Sequence, residues 1–469
     1  MSIHIYNSLT RKKEELIPIK PQEIKIYVCG PTVYDEPHIG HARSAYIFDV
    51  IRRYLTYKGY KVKFVRNVTD VDDKIINKAK EEFPGEDLNS SFKKVADKYL
   101  LAYHEALNSL GIGEGGILEP KASEYIPKMI KFIQGLIDKG AAYASGGDVY
   151  FDITKANNYG KLSNQSLGKM ESGARVVGTE NKRNPLDFAL WKSAKENEPA
   201  WDSPFGKGRP GWHIECSVMS LNILGGEFDI HGGGIDLIFP HHENEIAQSE
   251  AAGEKFARYW IHHGLLTING QKMSKSLGNF ITVQGFLDKY RYPDLLKLLF
   301  LSTHYSHPVD FSEEKIKEEE QALERILILW EKLSKLSLKT PTGKIPEELG
   351  NIKNKFIEAM DDDFNTPQAL AMIFDLVTVI NKNIENLEFI YHAKVSIREL
   401  TGILGISCER QYLEINVHED ISVNATIELR KKARDNHNYT EADRIRKELE
   451  DKGIILEDTK DGTTWRRKL

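Results

Sequence analysis

Apolar positions in the first part of the chain alternate between strand-like runs and helix-spaced stripes. Residues 24–28 form a short apolar run, and apolar side chains recur at helical spacing over 41–55. A β-rich run at 61–68 then precedes a second helical pattern, which begins near Asp73. This order predicts an α/β fold with a parallel sheet and right-handed crossovers. Ligands of such folds bind at the carboxyl ends of the strands.

The pattern changes again further along the chain. Residues 116–200 contain a helical stretch, a strand and a long polar segment. We interpret them as an insertion between two halves of the sheet domain, 1–115 and 201–310. Apolar stripes at helical spacing over 311–415 predict a helical bundle, whose second helix is expected to begin near Phe356.

The end of the chain is predicted to form a small separate unit, 425–469, behind a polar linker at 416–424. Two helices are expected, the second capped by Thr440, and a hairpin is expected to turn at Asp461-Gly462. The tail places Trp465 beside three cations, which suits stacking on an unpaired base and contact with its phosphates. A solvated basic tail has the same composition.

Composition excludes several classes of protein. The 469 residues are 41% hydrophobic and 28% charged, as in ordinary globular proteins, and the net charge of −5 does not by itself indicate a nucleic-acid partner. No apolar run approaches the roughly 20 residues that a membrane span needs, and the start lacks the apolar core of a signal peptide. Three widely spaced cysteines, Cys29, Cys216 and Cys408, make a disulfide framework unexpected and favour a cytoplasmic location.

Two polar stretches carry residue types that bind phosphate. The first, the histidine motif, contains His38, Gly40 and His41 at the predicted start of a helix, where free N–H groups favour anions. Alone this motif is weak, because exposed histidines near turns are common. The second, the lysine segment (269–279), carries two lysines between glycines, and a solvated charged loop is its alternative interpretation. These lysines are Lys272 and Lys275.

Residues of metal-ligand type are spread along the chain. They are Cys29, Cys216 and a cluster around His241. On a helix, His241 and Glu245 share a face because they are four residues apart. Zinc accepts thiolate, imidazole and carboxylate together. By spacing alone the signal is weak, and His242 and Glu243 stay open as alternative ligands.

Taken together, these stretches make the chain similar to a known family. The histidine motif and the lysine segment occur in the order typical of class I aminoacyl-tRNA synthetases. Within that class the sequence resembles the cysteinyl-tRNA synthetases over essentially its whole length. The runs that carry the resemblance are 27–35, 66–75, 208–216, 231–248 and 462–467. The resemblance implies a Rossmann-like catalytic domain with an insertion, a helical bundle with no chemistry of its own, and a C-terminal α+β anticodon-binding unit.

The resemblance also implies the reaction. L-Cysteine would be activated with ATP to cysteinyl-adenylate and transferred to the 3′ end of tRNA(Cys), by a monomer. One Zn²⁺ per chain would select cysteine over serine, and Mg²⁺ would accompany ATP. The implied zinc ligands are Cys29, Cys216, His241 and Glu245. The implied residues for ATP and catalysis are His38, Gly40, His41, Lys272 and Lys275. The implied cysteine pocket contains Cys29, Thr69, Trp212, His231 and Asp236. Cys408 is expected to be a buried spectator.

Three alternatives share part of this pattern. A ligase that passes activated cysteine to an amino sugar would share the first half-reaction, but the long C-terminal region favours a tRNA acceptor. A non-catalytic zinc protein that binds RNA would have no reason to keep both phosphate-binding stretches. A nucleotidyltransferase of the same superfamily would share the histidine motif without so long a helical tail.

Overall fold

A computed structural model of the chain describes residues 2–113, 115–166, 181–274, 277–338, 340, 343–409, 417–451, 454–459 and 462–467. Strands and helices are interspersed up to residue 311, and helices then continue to a terminal hairpin. Within the described part, no helix combines the length and apolar character that a bilayer crossing requires.

The strands, in chain order, are β1 (His4–Asn7), β2 (Lys12–Glu15), β3 (Glu23–Val28), β4 (Lys61–Arg66), β5 (Ala142–Ser145), β6 (Asp148–Phe151), β7 (Phe188–Ser193), β8 (Gly208–Pro210), β9 (Glu227–Gly234), β10 (Phe256–His263), β11 (Leu266–Ile268), β12 (Gln271–Lys272), β13 (Val309–Phe311), β14 (Ile454–Thr459) and β15 (Gly462–Arg467). The α-helices are α1 (Ile39–Tyr57), α2 (Asp73–Glu82), α3 (Leu88–Ser109), α4 (Ile126–Asp138), α5 (Trp212–Leu224), α6 (Glu243–Ala251), α7 (Val283–Tyr290), α8 (Pro293–Leu301), α9 (Glu313–Ser334), α10 (Glu347–Asp361), α11 (Thr366–Lys382), α12 (Leu387–Ile403), α13 (Val417–Asp435) and α14 (Tyr439–Asp451).

The central sheet has four parallel strands in the order β10-β9-β3-β4, which confirms the predicted α/β sheet. The chain leaves β3 toward β4 on one side and leaves β9 toward β10 on the other. The strand order therefore reverses between β3 and β9, where open parallel sheets form a crevice for ligands. Cys29 follows β3 directly, and Gly234 ends β9, so both lie at this crevice.

Helix α1 packs closely on this sheet. The predicted helix 41–55 is confirmed and is two residues longer at each end. The side chain of Phe48 is completely buried. Gly232 of β9 permits the approach, because a Cβ atom there would lie 2.3 Å from the Phe48 ring. This contact fixes the start of α1 relative to the carboxyl edge of the sheet.

Two further sheets, of four and three strands, accompany the central one. Strands β5, β6, β7 and β8 form an antiparallel sheet, in which Trp191 is completely buried. Strands β12, β11 and β13 form the other sheet, with β11 parallel to β13 and antiparallel to β12. This second sheet carries Lys272 at its edge, and it continues directly from the carboxyl end of β10.

The helical part after residue 311 confirms the predicted bundle, but two elements differ from expectation. Helix α10 begins at Glu347, well before the expected start near Phe356. Its apolar side chains at Leu349 and Ile352 already face the core, and acidic residues in the first turn complement the helix dipole. Helix α12 had no sequence-based prediction; the side chain of Asn386 caps it by accepting from the Phe389 N–H.

The C-terminal unit also corrects two predictions. The linker expected at 416–424 is wrong for 417–424, because helix α13 begins at Val417. The buried Val423 packs in an apolar cluster with α14 and β14, which stabilises a helix that its polar sequence does not indicate. Thr440 lies inside α14 rather than at its cap, where Asn438 accepts from the Glu441 N–H at 3.2 Å.

The expected terminal hairpin is confirmed. Strand β14 pairs with β15 antiparallel, and the last pair of the ladder is Thr459 with Gly462. The turn residue Asp461 and the side chains of Trp465 and the cations after it lie outside the described part of the chain.

Candidate active site

Four side chains from three elements meet at the carboxyl edge of the central sheet. Cys29 follows β3, and Cys216 lies on α5. His241 lies on the turn before α6, and Glu245 lies on α6 itself. The ligand atoms of these residues all lie within 4.8 Å of one another. We call this set the thiol cluster.

The cluster is closely spaced and mostly enclosed. The Sγ atoms of Cys29 and Cys216 are 3.7 Å apart, and Cys29 Sγ lies 3.5 Å from Glu245 Oε1. That carboxylate oxygen is 3.1 Å from Nε2 of His241. Cys29 is partly exposed, whereas the other three side chains are buried. Cys29 therefore marks the open side of the cluster.

The charges of the cluster are set by competition between burial and close partners. Burial raises the pKa of Cys29 well above its usual range, and its hydrogen bond with Cys216 adds to this. Burial also acts to raise the pKa of Cys216, but the hydrogen bonds with Cys29 and His241 lower it to about 6. Opposing burial, Glu245 raises the pKa of His241 to about 10, and the charges of His231 and His241 lower that of Glu245 to about 2. The close partners therefore favour the charged forms of Cys216, His241 and Glu245 against the effect of burial.

A second set of ligand atoms shares part of this cluster. Cys29, His231, His242 and Glu245 also present atoms within 4.8 Å of one another. Nε2 of His242 is 3.3 Å from Cys29 Sγ, and its Nδ1 is 2.8 Å from Nε2 of His262. Spacing had left His242 open as a ligand, and the structure places it beside the metal-type donors. Glu243, the other alternative, instead accepts from the Ser163 backbone N–H at 2.8 Å.

Sequence reasoning missed two residues around the cluster. His213 contacts His241, and the Asn67 side chain lies between Cys216 and Gly30. His213 is three residues before Cys216 on a helix, so a shared face was a detectable signal. Asn67 follows β4 and gave no such signal. Its position depends on the pairing of β3 with β4.

Of the four further residues expected in the cysteine pocket, three have contacts around the cluster. Nε2 of His231 is 2.9 Å from Glu245 Oε2, and the exposed ring of Trp212 lies 4.1 Å from the His241 ring, measured between ring centres. Thr69 donates to Glu215, the neighbour of Cys216, at 2.9 Å. Asp236 lies instead on the exposed turn after β9. The Asp236 carboxylate lies close to Gly234, where a Cβ atom would be 2.4 Å from it.

The histidine motif forms the start of α1. Nδ1 of His38 accepts from the His41 backbone N–H at 3.2 Å, and Nδ1 of His41 accepts from the His38 N–H at 3.3 Å. The two rings stack 3.6 Å apart. Burial, with the nearby His38 and Lys74, lowers the pKa of His41 well below its usual range. A neutral His41 whose Nδ1 accepts must carry its proton on Nε2, so that it remains a donor.

The described residues of the lysine segment lie next to this motif. The residues that follow the lysine segment are hydrogen-bonded to the histidine motif. The Ile39 N–H donates to the Ile281 carbonyl at 3.1 Å, and the Val283 N–H donates to the Pro37 carbonyl at 2.9 Å. A Cβ on Gly40 would lie 3.6 Å from Met273 Cε of the segment. Lys272 ends β12 and is exposed. Lys275 lies outside the described residues.

Comparison with known proteins agrees with this arrangement. The catalytic domain model of class I (C) tRNA synthetases matches residues 15–321, the DALR domain model matches 355–409, and the cysteinyl-tRNA ligase anticodon binding domain model matches 420–466. Curated proteins named cysteine–tRNA ligase from Persephonella marina, Sulfurihydrogenibium sp. and Thermodesulfovibrio yellowstonii are 49%, 48% and 47% identical, and each alignment covers 100% of both chains. A solved structure of Mycobacterium tuberculosis methionyl-tRNA synthetase, in complex with methionyl-adenylate, matches with a TM-score of 0.61 at 14% identity. That match covers 81% of this chain and 90% of the other, and it shows the shared fold.

The parallel sheet, together with the histidine motif and lysine segment at its carboxyl edge, is that of a class I aminoacyl-tRNA synthetase. Within that class, the matching family models and the full-length relatives are those of the cysteine-specific enzymes. The chain belongs to the cysteine–tRNA ligase family, and it is an enzyme of the ligase class.

Proposed function

We propose that this chain activates L-cysteine with ATP and transfers the cysteinyl group to the 3′ end of tRNA(Cys). The observation that carries the proposal is the thiol cluster, which lies at the same sheet edge as the histidine motif. In the first step a carboxylate oxygen of cysteine attacks the α-phosphorus of ATP, and pyrophosphate leaves. In the second step the terminal ribose hydroxyl of the tRNA attacks the cysteinyl carbonyl, and AMP leaves.

The donor set of the thiol cluster fits one zinc ion per chain. Two sulfur atoms, an imidazole nitrogen and a carboxylate oxygen are a zinc-type set, and they are already within 4.8 Å of one another. When bound, zinc would supply a Lewis-acidic position that prefers a thiolate to the hydroxyl of serine. The partly exposed side of the cluster, at Cys29, gives the substrate thiol access to that position. Shape alone separates such close analogues by only about 10².

The remaining pocket residues would orient the amino acid. Trp212 forms an exposed wall over His241. Thr69 and His231 are buried, and they contact Glu215 and Glu245, respectively. Asp236, exposed at the end of β9, would pair with the α-ammonium group. The reaction requires no protein nucleophile. These residues would therefore contribute by positioning the substrate relative to the thiol cluster.

ATP would lie along the start of α1. Nε2–H of His41, together with His38, donates to phosphate oxygens there, and Gly40 allows the nucleotide to approach the backbone. Lys272 and Lys275 would bind the β- and γ-phosphates as charge develops in the transition state, and Mg²⁺ would accompany the triphosphate. We assign His38, His41, Lys272 and Lys275 to catalysis.

We keep the domain division expected from the sequence. The catalytic halves are 1–115 and 201–310, around the insertion 116–200. The helical bundle is 311–415. The unit that binds the anticodon is expected at 425–469, and α13 extends its start to Val417. The anticodon binding domain model over 420–466 supports this last assignment. We further propose that the chain acts as a monomer in the cytoplasm.

The test is transfer of labelled cysteine to total tRNA by purified protein with ATP and magnesium, with products resolved at acid pH. A labelled tRNA band that is lost in mild base is an ester, and it supports the proposal. If no band forms while cysteine-dependent pyrophosphate exchange is strong, the acceptor is a different molecule, such as the amine of an amino sugar. If exchange is also absent, the protein is not a cysteine-activating enzyme.

A further inference from the structure

Arg43 is a completely buried arginine two residues after the histidine motif on α1. All four described hydrogen bonds of its guanidinium group go to backbone carbonyls. Nη1 donates to Gly264 and Leu265, each at 2.6 Å, and Nη2 donates to Tyr305 at 3.3 Å and His307 at 2.6 Å. Burial lowers its pKa to about 10, so it remains charged at neutral pH.

These four carbonyls belong to two segments that lead into one small sheet. Gly264 and Leu265 connect β10 to β11, and Tyr305 and His307 precede β13. The two segments bond to each other, because the Gly264 N–H donates to Tyr305 at 2.9 Å and the Val309 N–H donates to Leu265 at 3.0 Å. Arg43 therefore holds the base of the sheet that carries β12 and Lys272.

The other end of the lysine segment is attached to α1 directly. The chain leaves the segment through residues 281–283, which bond to Pro37 and Ile39 on either side of His38. The start of α1 thus holds the lysine segment at both ends. The exit is held by backbone hydrogen bonds, and the entry is held through Arg43.

We propose that Arg43 is a positioning residue that keeps Lys272 and the histidine motif in one fixed relation for adenylate formation. The inference depends on the proposed function for its kinetic readout, but it concerns a residue outside the assigned ATP and cysteine sites. A guanidinium group suits the role because its planar donors reach two segments at once, whereas a lysine ammonium is a compact charge.

A merely stabilising role would give a different result. Arg43 contacts the segments that lead into β11 and β13, while the thiol cluster that is proposed to hold the substrate sulfur lies after β3, on α5, and on α6 with the turn before it. Arg43→Lys should therefore lower kcat for cysteine-dependent pyrophosphate exchange and leave the KM for cysteine unchanged. The expected loss in kcat is about 10²-fold, the effect of misplacing reacting groups by about 1 Å.

Two further variants sharpen the test. Gly264→Ala perturbs the same connection without changing a residue of α1, because a Cβ there would lie 2.3 Å from the His307 carbonyl and must separate the two segments. It should reproduce the kcat loss of Arg43→Lys. Arg52→Lys is the matched control, since Arg52 is also buried on α1 but pairs with Asp49 of its own helix, 2.7 Å away. It should retain wild-type kcat.

A readout without cysteine separates this inference from the proposed function. We expect ATP to protect the wild-type chain from trypsin at Lys272, and to protect Arg43→Lys at least tenfold less. Wild-type protection without cysteine-dependent exchange would overturn the proposed function alone. The inference on Arg43 is overturned if wild type gains no protection, if Arg43→Lys matches wild type, or if kcat and cysteine affinity fall together with the melting temperature.

Discussion

His213 and His241 face each other through their Nδ1 atoms, which are 2.9 Å apart. One of the two must donate. Burial, with His241 next to it, holds the pKa of His213 well below its usual range, whereas the pKa of His241 is raised. Nδ1–H of His241 therefore donates to a neutral His213, and Nε2 of His241 points to the thiol cluster, 3.1 Å from Glu245. The contact selects the ring nitrogen that His241 offers to a metal.

Replacing His213 should weaken zinc binding without removing a ligand. In His213→Ala the His241 ring loses its partner, and we expect the zinc affinity to fall by about 10–100-fold, as for other residues that orient a metal ligand. Competition with a chromogenic chelator measures this affinity. His104→Gln is the control, because His104 pairs with Glu119 away from the cluster and should retain wild-type affinity. Wild-type affinity in His213→Ala would mean that packing alone orients His241.

Removing a thiol should have a larger effect. Cys216→Ser takes a ligand from the cluster, so the zinc affinity should fall by more than about 100-fold, beyond the effect of losing an orienting partner. Metal content after dialysis is the measurement. Cys408→Ser is the matched control: Cys408 is also buried, but it contacts Thr401 in the helical bundle at 3.1 Å. Equal zinc content in the two variants would contradict the assignment of Cys216.

The role of zinc in choosing the amino acid can be measured separately. With the metal removed by a chelator, we expect the preference for cysteine over serine in pyrophosphate exchange to fall to about 10² or less, the limit for shape alone. Zinc added back should restore it, and magnesium should not. A stripped enzyme that retains its full preference would show that the pocket walls, such as Trp212, make the distinction.

Lys275 is expected to act on the transition state. Lys275→Ala should lower the rate of cysteinyl-adenylate formation by about 10²-fold or more, because a charge that neutralises developing phosphate charge is lost. The KM for cysteine should stay within about twofold. Single-turnover adenylate formation and steady-state exchange give the two quantities. Lys93→Ala, on the exposed side of α3, is the control. Equal losses in rate and cysteine binding would argue against this role.

Part of this site could be predicted because the residues that form it follow strands or share helix faces. Cys29 directly follows an apolar run, and His241 and Glu245 are four apart, so each could be placed from local pattern. The proximity of Cys29 to Cys216 could not be predicted from local pattern, because it depends on β3 lying next to β9 and on the packing of α5. The resemblance to a family supplied that link, and the structure brings the side chains together.

The errors have local physical causes. The polar sequence at 417–424 is typical of a linker, but the segment is helical and Val423 is buried in an apolar cluster with residues of α14 and β14. Thr440 has the residue type of a helix cap, but Asn438, a residue type that caps at least as well, precedes it and accepts the capping hydrogen bond. His213 could be placed on the helix face of Cys216 from its spacing, but its contact with His241, 28 residues further along the chain, has no signal in the sequence pattern.

Glu319 gives the molecule a stability that depends on pH. It is buried on α9, and burial, opposed by a hydrogen bond with Ser302, raises its pKa to about 7 from an ordinary value of 4.5. Between these values the folded chain holds a proton that the unfolded chain has lost. The free energy of unfolding therefore falls as pH rises from about 4.5 through 7, by up to about 3 kcal/mol.

Glu319→Gln should remove this dependence, because the amide stays neutral. Relative to wild type, its urea midpoint should be clearly higher at pH 8 than at pH 5, with Trp330 on the same helix as a fluorescent reporter. Glu318→Gln is the control, since its side chain is exposed next to Glu319. If Glu319→Gln and wild type differ by the same amount at both pH values, Glu319 is ionised in the folded chain throughout, and its carboxylate must be stabilised by a partner rather than tolerated as a neutral acid.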